Sequence, residues 1–414
     1  MTALAAQAAS QGRVRWDPGD PVFRADPYPF YDRLRAEAPA FLSDRDTLVV
    51  TRYDDVVRVL RSTEVSRDIE ANARIDENDP VAVARRDRRQ GAKTILTLDP
   101  PDHTRLRRLV SKAFTPSAVE RLRGWMTERV DSVLDQAESD GGMELIDQLA
   151  FPFPFDVISE LLGMPTDRAT EVRDWSQALT LGLEPQAVID DIDAGERALM
   201  EMIPYLLGII DERRANPRDD VLSALIAVED DGDTMDAAEL LAFILLLYVA
   251  GHETTVNLIG NGTLALLRHP DQLAAWRADP GLDAVAIDEL MRFDGPVQHT
   301  VRVAMQPIEF TTPGGAVVAE PGQTILTSLG AANHDPAMFA DPHALLLDRA
   351  NASRHVGFSA GIHYCLGASL AKMEATIAIS RLLRRFPHIE MIGEAHWRDR
   401  ITIRGVDRLQ LQFR

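Results

Sequence analysis

The chain has 414 residues, of which 45% are hydrophobic and 26% charged; that is ordinary globular usage and excludes global disorder and fibrous repeats. Lys and Arg number 44 against 64 Asp and Glu, a net charge of −20, so bulk electrostatics argue against nucleic acid and anionic membrane surfaces as partners. The single cysteine, Cys365, excludes an intramolecular disulfide framework and any metal site built from several thiolates of this chain, and it fits a reducing cytoplasm.

In chain order, the first sixteen residues lack the basic start and continuous apolar run of a signal peptide. Pro27-Tyr28-Pro29 predicts a turn into a helix, and Phe41-Leu42 and Thr47–Thr51 predict two short strands. Residues 67–93 are charged and aperiodic and predict a long functional loop. From about 102 to 292 the spacing is helical, with segments at 103–113, 117–138, 152–162, 168–180, 186–215, 219–228, 237–268, 271–278 and 283–293. The apolar run Leu240–Gly251 is shorter than the ~18–20 residues of a membrane helix and predicts a buried core helix. Residues 300–327 predict a small sheet, 335–363 irregular chain, 366–385 a helix, and 401–406 and 409–413 strands. The expectation is one domain over 1–414, mainly α with small β-sheets.

Two motifs carry chemistry. Around the lone thiol the chain reads Phe358-Ser359-Ala360-Gly361-Ile362-His363-Tyr364-Cys365-Leu366-Gly367. A thiolate is an electron-rich axial ligand for haem iron. Gly361 and Gly367 would let the backbone curl near the sulfur, and a helix starting at about Leu366 would turn its N-terminal amides toward it. The bland alternative for a lone cysteine is inert core filler. The second motif is Ala250-Gly251-His252-Glu253-Thr254-Thr255, where a carboxylate and two hydroxyls interrupt an apolar helix at a cost that implies a use. Thr254 can bond back to the preceding turn; His252 receives no role and is expected to face solvent or a loop. The nearby Gly260-Asn261-Gly262-Thr263-Leu264-Ala265 mimics a dinucleotide fingerprint but follows a helix instead of a strand, and is set aside, as is the sequon Asn261-Gly262-Thr263.

The first motif resembles the haem loop F-x-x-G-x-H-x-C-x-G of the cytochrome P450 family, and the second its A-G-x-[DE]-T-[TS] signature. Ser359 departs from the glycine common there. The resemblance spans nearly the whole chain and implies a soluble, bacterial, ferredoxin-dependent member. Its fold would be a triangular prism with a long central helix over haem b. Its reaction would insert one atom of O2 into a hydrophobic lipid, steroid, terpenoid or polyketide. It makes Cys365 the metal ligand and Phe358, Gly361 and Gly367 part of the haem loop. His103, Arg107, Arg302 and His363 become ligands of the haem carboxylates. Glu253 and Thr254 become the acid–alcohol pair that relays protons during oxygen activation. Glu289 and Arg292, joined by Arg349, form the structural E-x-x-R element, although Leu345–Leu347 replaces the usual aromatic and acid.

No flavin or nicotinamide motif stands, so electrons would come from a ferredoxin, with Arg105, Arg108 and Lys112 as its dock on the proximal face. Leu246, Ala250 and Val297 would line the substrate pocket, walled by 67–93 and lidded by 165–190. Rival readings are a peroxide-driven peroxygenase on the same fold and a haem sensor without turnover.

Overall fold

The computed structural model describes residues 13–14, 19–43, 46–69, 73–74, 94–181, 184, 193–230 and 232–414. Most of the expected 67–93 loop, and residues 182–183 and 185–190 of the expected lid, lie outside them. Contacts group the chain into two compact units. The first comprises Met1–Thr104, Val297–Ala344 and Arg354–Cys365; the second comprises Arg105–Pro296, Leu345–Ser353 and Leu366–Arg414.

The first unit is built on a six-stranded sheet. Its strands run in the order Arg13–Val14, Ala40–Ser43, Leu48–Val50, Thr324–Ser328, His299–Ala304 and Val65–Ser66. The run Leu48–Val50 is fully buried and pairs in parallel with Thr324–Ser328, which explains three consecutive apolar residues without alternation. A helix at Tyr53–Arg61 lays Val56, Val59 and Leu60 onto the sheet, where they meet Ile325, Phe339, Val356 and Ala360. That helix went unread in the sequence because Asp54 and Asp55 open it and its apolar face is only two turns long.

The second unit is helical. Its longest element, Ala237–Arg268, has 32 residues and starts in a capping box in which Asp236 and Glu239 satisfy each other's backbone amides. It packs against Pro152–Leu162, Ala169–Leu181, Ala286–Asp294 and Ala368–Arg385. The helix is long and apolar enough to cross a membrane by length and composition alone, and 56% of its most apolar window is buried in the protein. The expected helix 117–138 is broken into Pro116–Arg121 and Arg123–Asp140, the second closed by Gly141 in the left-handed region at φ 72°. The expected helix 186–215 is described from Ala194. Of the expected strand 401–406 only Val406 is in a strand: residues 401–405 lie in the tip of a hairpin between His396–Trp397 and Val406–Arg408, where the amides of 401–403 bond a side chain in place of a neighbouring strand.

Glu289 is the hub of a buried ion cluster. Arg292 holds both its oxygens at 2.7 and 2.8 Å, Arg349 Nε holds them at 3.1 and 3.0 Å, and the Leu346 N–H donates to it at 3.0 Å. Of the residues expected as an aromatic and an acid, Leu345 is buried and Leu346 is exposed, its N–H alone meeting Glu289. Losing one partner of such a cluster leaves an uncompensated buried charge.

Glu374, on the helix Ala368–Arg385, is 1% exposed, and its Oε2 has no hydrogen-bond partner. Burial pushes its carboxyl well above the ordinary 4.5. The folded chain keeps it protonated while the unfolded chain ionises it, so it costs stability as pH rises above the ordinary carboxylate range. Glu374→Gln should therefore raise the urea midpoint at pH 8, and the gain should shrink toward pH 4; an equal gain at both would mean the acid is not held neutral.

Candidate functional site

In the first unit, residues 358–365 close into a loop through the Cys365 N–H, which donates to the Phe358 carbonyl at 3.0 Å. Ser359 sits in the left-handed region at φ 64° and donates its N–H to Val356 O at 2.8 Å, so a serine here adopts the conformation that glycine adopts without cost. Gly361 has φ 71°, and a Cβ on it would lie 2.5 Å from the Leu60 carbonyl. Its glycine is thus required by the helix end at Leu60 and not by the sulfur. Gly367 has an ordinary φ of −86° and open space where a Cβ would point; it caps a helix that begins at Ala368, two residues later than expected. Cys365 itself is exposed, which removes the reading of inert core filler.

The same unit gathers cations. His103 is 2% exposed, and its ring centroid lies 4.3 Å from that of His363. Arg302, on the strand His299–Ala304, is 2% exposed and donates to Val301 O at 2.8 Å. Antiparallel pairing sets Val65 against Ala304 and Ser66 against Val303, so the next position, Arg67, comes opposite Arg302. Burial pulls Arg302 down to about 9 and Arg67 down to about 10; the Arg67 guanidinium lowers Arg302 further, and Asp99 works against both shifts. Asp99 also accepts the Arg67 N–H at 2.8 Å and the Ser66 hydroxyl, and its carbonyl accepts the His103 N–H at 2.9 Å. Among the described residues, two desolvated guanidiniums against one carboxylate leave a surplus of positive charge that suits an anionic ligand.

The second unit supplies the rest. Arg107 follows His103 by one helical turn on Asp102–Ala113 and is half-buried. On the long helix, Leu245, Leu246, Val249, Ala250 and Thr254 are left incompletely covered at helical spacing, an apolar stripe ending in a hydroxyl. Thr254 Oγ1 donates to Ala250 O at 2.7 Å, and Thr255 Oγ1 to Gly251 O at 3.1 Å. Glu253 is buried and ion-paired with Arg398 of the hairpin, its Oε2 without a hydrogen-bond partner. His252 is fully buried, with Nε2 3.0 Å from Phe151 O, and burial holds it at about 4; it faces neither solvent nor a loop and stays neutral. Val297, the third expected pocket residue, lies in the first unit against its apolar core. Arg105 is corrected as a docking residue: its guanidinium is ion-paired with Asp233 at 3.2 Å and with Glu239. Arg108 and Lys112 are exposed.

Comparison with known proteins identifies the family. The cytochrome P450 family profile matches residues 280–398. Cytochrome P450 107B1 of Saccharopolyspora erythraea is 40% identical over 405 residues, spanning 95% of this chain and 96% of the relative. The monooxygenase PikC of Streptomyces venezuelae is 40% identical over 411 residues, 95% of this chain and 92% of that one. The solved structure of the polyketide synthase cytochrome P450 PksS of Bacillus subtilis has a TM-score of 0.85 at 34% identity, covering 96% of this chain and 99% of the other. The chain belongs to the cytochrome P450 family. It is a P450 monooxygenase whose cofactor is haem b and whose oxidant is O2. The residues present suit that group: an exposed thiol on a closed loop, open space beside Gly367, and buried cationic surplus for carboxylates.

Arg67 and Arg398 escaped the sequence reading. The carboxylate in an apolar helix required a cation, but nothing in the run around Arg398 named the partner. Arg67 became visible only through strand register. For the loop itself, Ser359→Gly should keep the ferrous carbon-monoxide spectrum and raise stability by ~1 kcal/mol by removing a left-handed non-glycine residue, whereas Ser359→Val should lose both; calorimetry and the spectrum decide.

Proposed function

We propose that this P450 hydroxylates a hydrophobic polyketide in the cytoplasm, with two electrons supplied by a ferredoxin. The overall change is RH + O2 + 2 e⁻ + 2 H⁺ → ROH + H2O. The observation that carries the site assignment is Cys365, exposed on a loop closed by its own backbone bond to Phe358. Bound at this thiolate, the haem would supply oxygen activation. Cys365 would bind its iron, with Phe358, Gly361 and Gly367 shaping the loop that carries the thiol. His103, Arg107, Arg302 and His363 would hold its two carboxylates, and Arg67 would join them beside Asp99.

Glu253 and Thr254 deliver protons from the long helix. Thr254 presents its hydroxyl beside the open stripe, and Glu253 keeps one oxygen unbonded for a proton to occupy. The stripe around Leu246 and Ala250 contributes apolar lining from the long helix. A polyketide is favoured over the other hydrophobic classes by likeness to PksS, whose name carries that chemistry. Glu289, Arg292 and Arg349 serve folding.

Purified and haem-loaded, the protein should give the thiolate-type red-shifted ferrous carbon-monoxide band, and Cys365→Ala should abolish it. Arg67→Leu should keep the band but release haem to apomyoglobin roughly ten-fold faster, as expected for one lost charge-assisted bond; an unchanged rate removes Arg67 from the site. A panel of macrolactones, steroids, terpenoids and fatty acids, scored by spin-state change, tests the substrate class. Charge reversal at Arg108 and Lys112 should slow ferredoxin-driven reduction at low salt and have little effect at high salt; equal rates at low salt would place the dock elsewhere.

A further inference from the structure

Glu184 is 2% exposed and stands just beyond the helix Ala169–Leu181, its own N–H bonded to Leu181 O at 3.0 Å. Its carboxylate accepts three consecutive backbone N–H groups of the hairpin tip: Oε2 takes Ile401 and Thr402 at 2.8 Å each, and Oε1 takes Ile403 at 2.9 Å. The tip makes few bonds of its own, namely Arg398 N–H to Gly405 O at 3.0 Å and Arg400 N–H to Arg398 O at 2.8 Å. Without Glu184, three amides, two of them on buried isoleucines, would lose their acceptor, and the tip could not keep its shape.

Arg398, the ion-pair partner of Glu253, stands where the tip joins the hairpin base: its N–H bonds Gly405 O, and its guanidinium also lies 3.6 Å from Asp407 on the strand Val406–Arg408. The hairpin base, by contrast, is fixed separately. Asn261 on the long helix donates to Asp294 O and Arg404 O at 3.2 Å each, and its Oδ1 accepts the Val406 N–H at 3.2 Å. Arg404 binds Asp294 at 2.9 Å and stacks 3.6 Å over the Trp397 ring. The asparagine of the discarded sequon is thus a rivet between the helix and the hairpin. Glu253, Asn257 and Asn261 recur every fourth residue, so the helix turns one polar stripe toward the hairpin; a Cβ on Gly405 would overlap the Asn257 amide. With the base riveted, the tip is the part whose position depends on Glu184.

We infer that Glu184 and Arg398 are positioning residues for the proton-delivering acid: Glu184 shapes the hairpin tip, the tip aims Arg398, and Arg398 orients the Glu253 carboxylate. The inference rests on Glu253 being that acid. Neither residue touches the reacting atoms. Their effect is on proton delivery, which decides whether electrons end in hydrogen peroxide or in water.

The test uses the haem-loaded enzyme with NADH, a ferredoxin and its reductase, and measures peroxide formed per NADH consumed across pH, without an organic substrate. Glu184→Ala and Arg398→Leu should each raise that ratio by roughly two- to five-fold, a fraction of the effect of losing a general acid outright, and should shift its pH profile. Glu184→Gln, which keeps one acceptor oxygen, and Arg398→Lys should restore part of the parent ratio. The double variant Glu184→Ala/Arg398→Leu should be no worse than Arg398→Leu alone, since both act through one guanidinium. Variants that retain the carbon-monoxide band yet show the parent ratio and pH profile would overturn the inference, as would multiplying effects in the double variant. If Glu253→Gln itself leaves the ratio unchanged, the assignment of the acid fails, and the positioning role falls with it.

Discussion

A charge carried into a protein interior must find its counterpart there, and the helix Ala237–Arg268 depends on meeting that demand. Its apolar sequence lets it pack against several other helices, but Glu253 would make it untenable if left alone, since a desolvated carboxylate costs several kcal/mol. Arg398 supplies the counter-charge from a hairpin far along the chain. Asn261 satisfies the backbone of that hairpin in return. The helix and the hairpin are therefore one electrostatic construction, and the acid is fixed in orientation by the same contact that permits its burial.

The first unit meets the opposite problem. Arg302 on its strand and Arg67 just past the end of the neighbouring strand are desolvated and share Asp99, with His103 and His363 close together in the same unit. Among the described residues, two guanidiniums here face one carboxylate. Loop and cluster differ in kind: the loop 358–365 is held by backbone geometry, the cluster by charge.

Much of this was legible in the residues. The helical run from 102 to 292, the sheet at 300–327 and the thiolate loop follow from periodicity, turn residues and local spacing, all of which act over a few residues. Arg349 could be assigned to Glu289 because the motif order is linear. Tyr53–Arg61 was hidden by its short apolar face. Residues 401–406 alternate like a strand, but a side chain took their amides. Arg105 looked like part of a basic surface, yet its carboxylate partners lie more than a hundred residues away. His252 was misplaced because a polar residue in a motif reads as outward-facing until a carbonyl such as that of Phe151 is found to receive it. In each case the missing information was a long-range partner, which spacing does not encode.

The tether at Glu184 grips main-chain N–H groups and none of the side chains at 401–403. Those three positions are consequently released from the bond in all but one respect, the exclusion of proline. The half-buried Thr402 can therefore vary in side chain while the arm that holds the arginine stays in place, whereas Ile401 and Ile403 remain bound by their own burial.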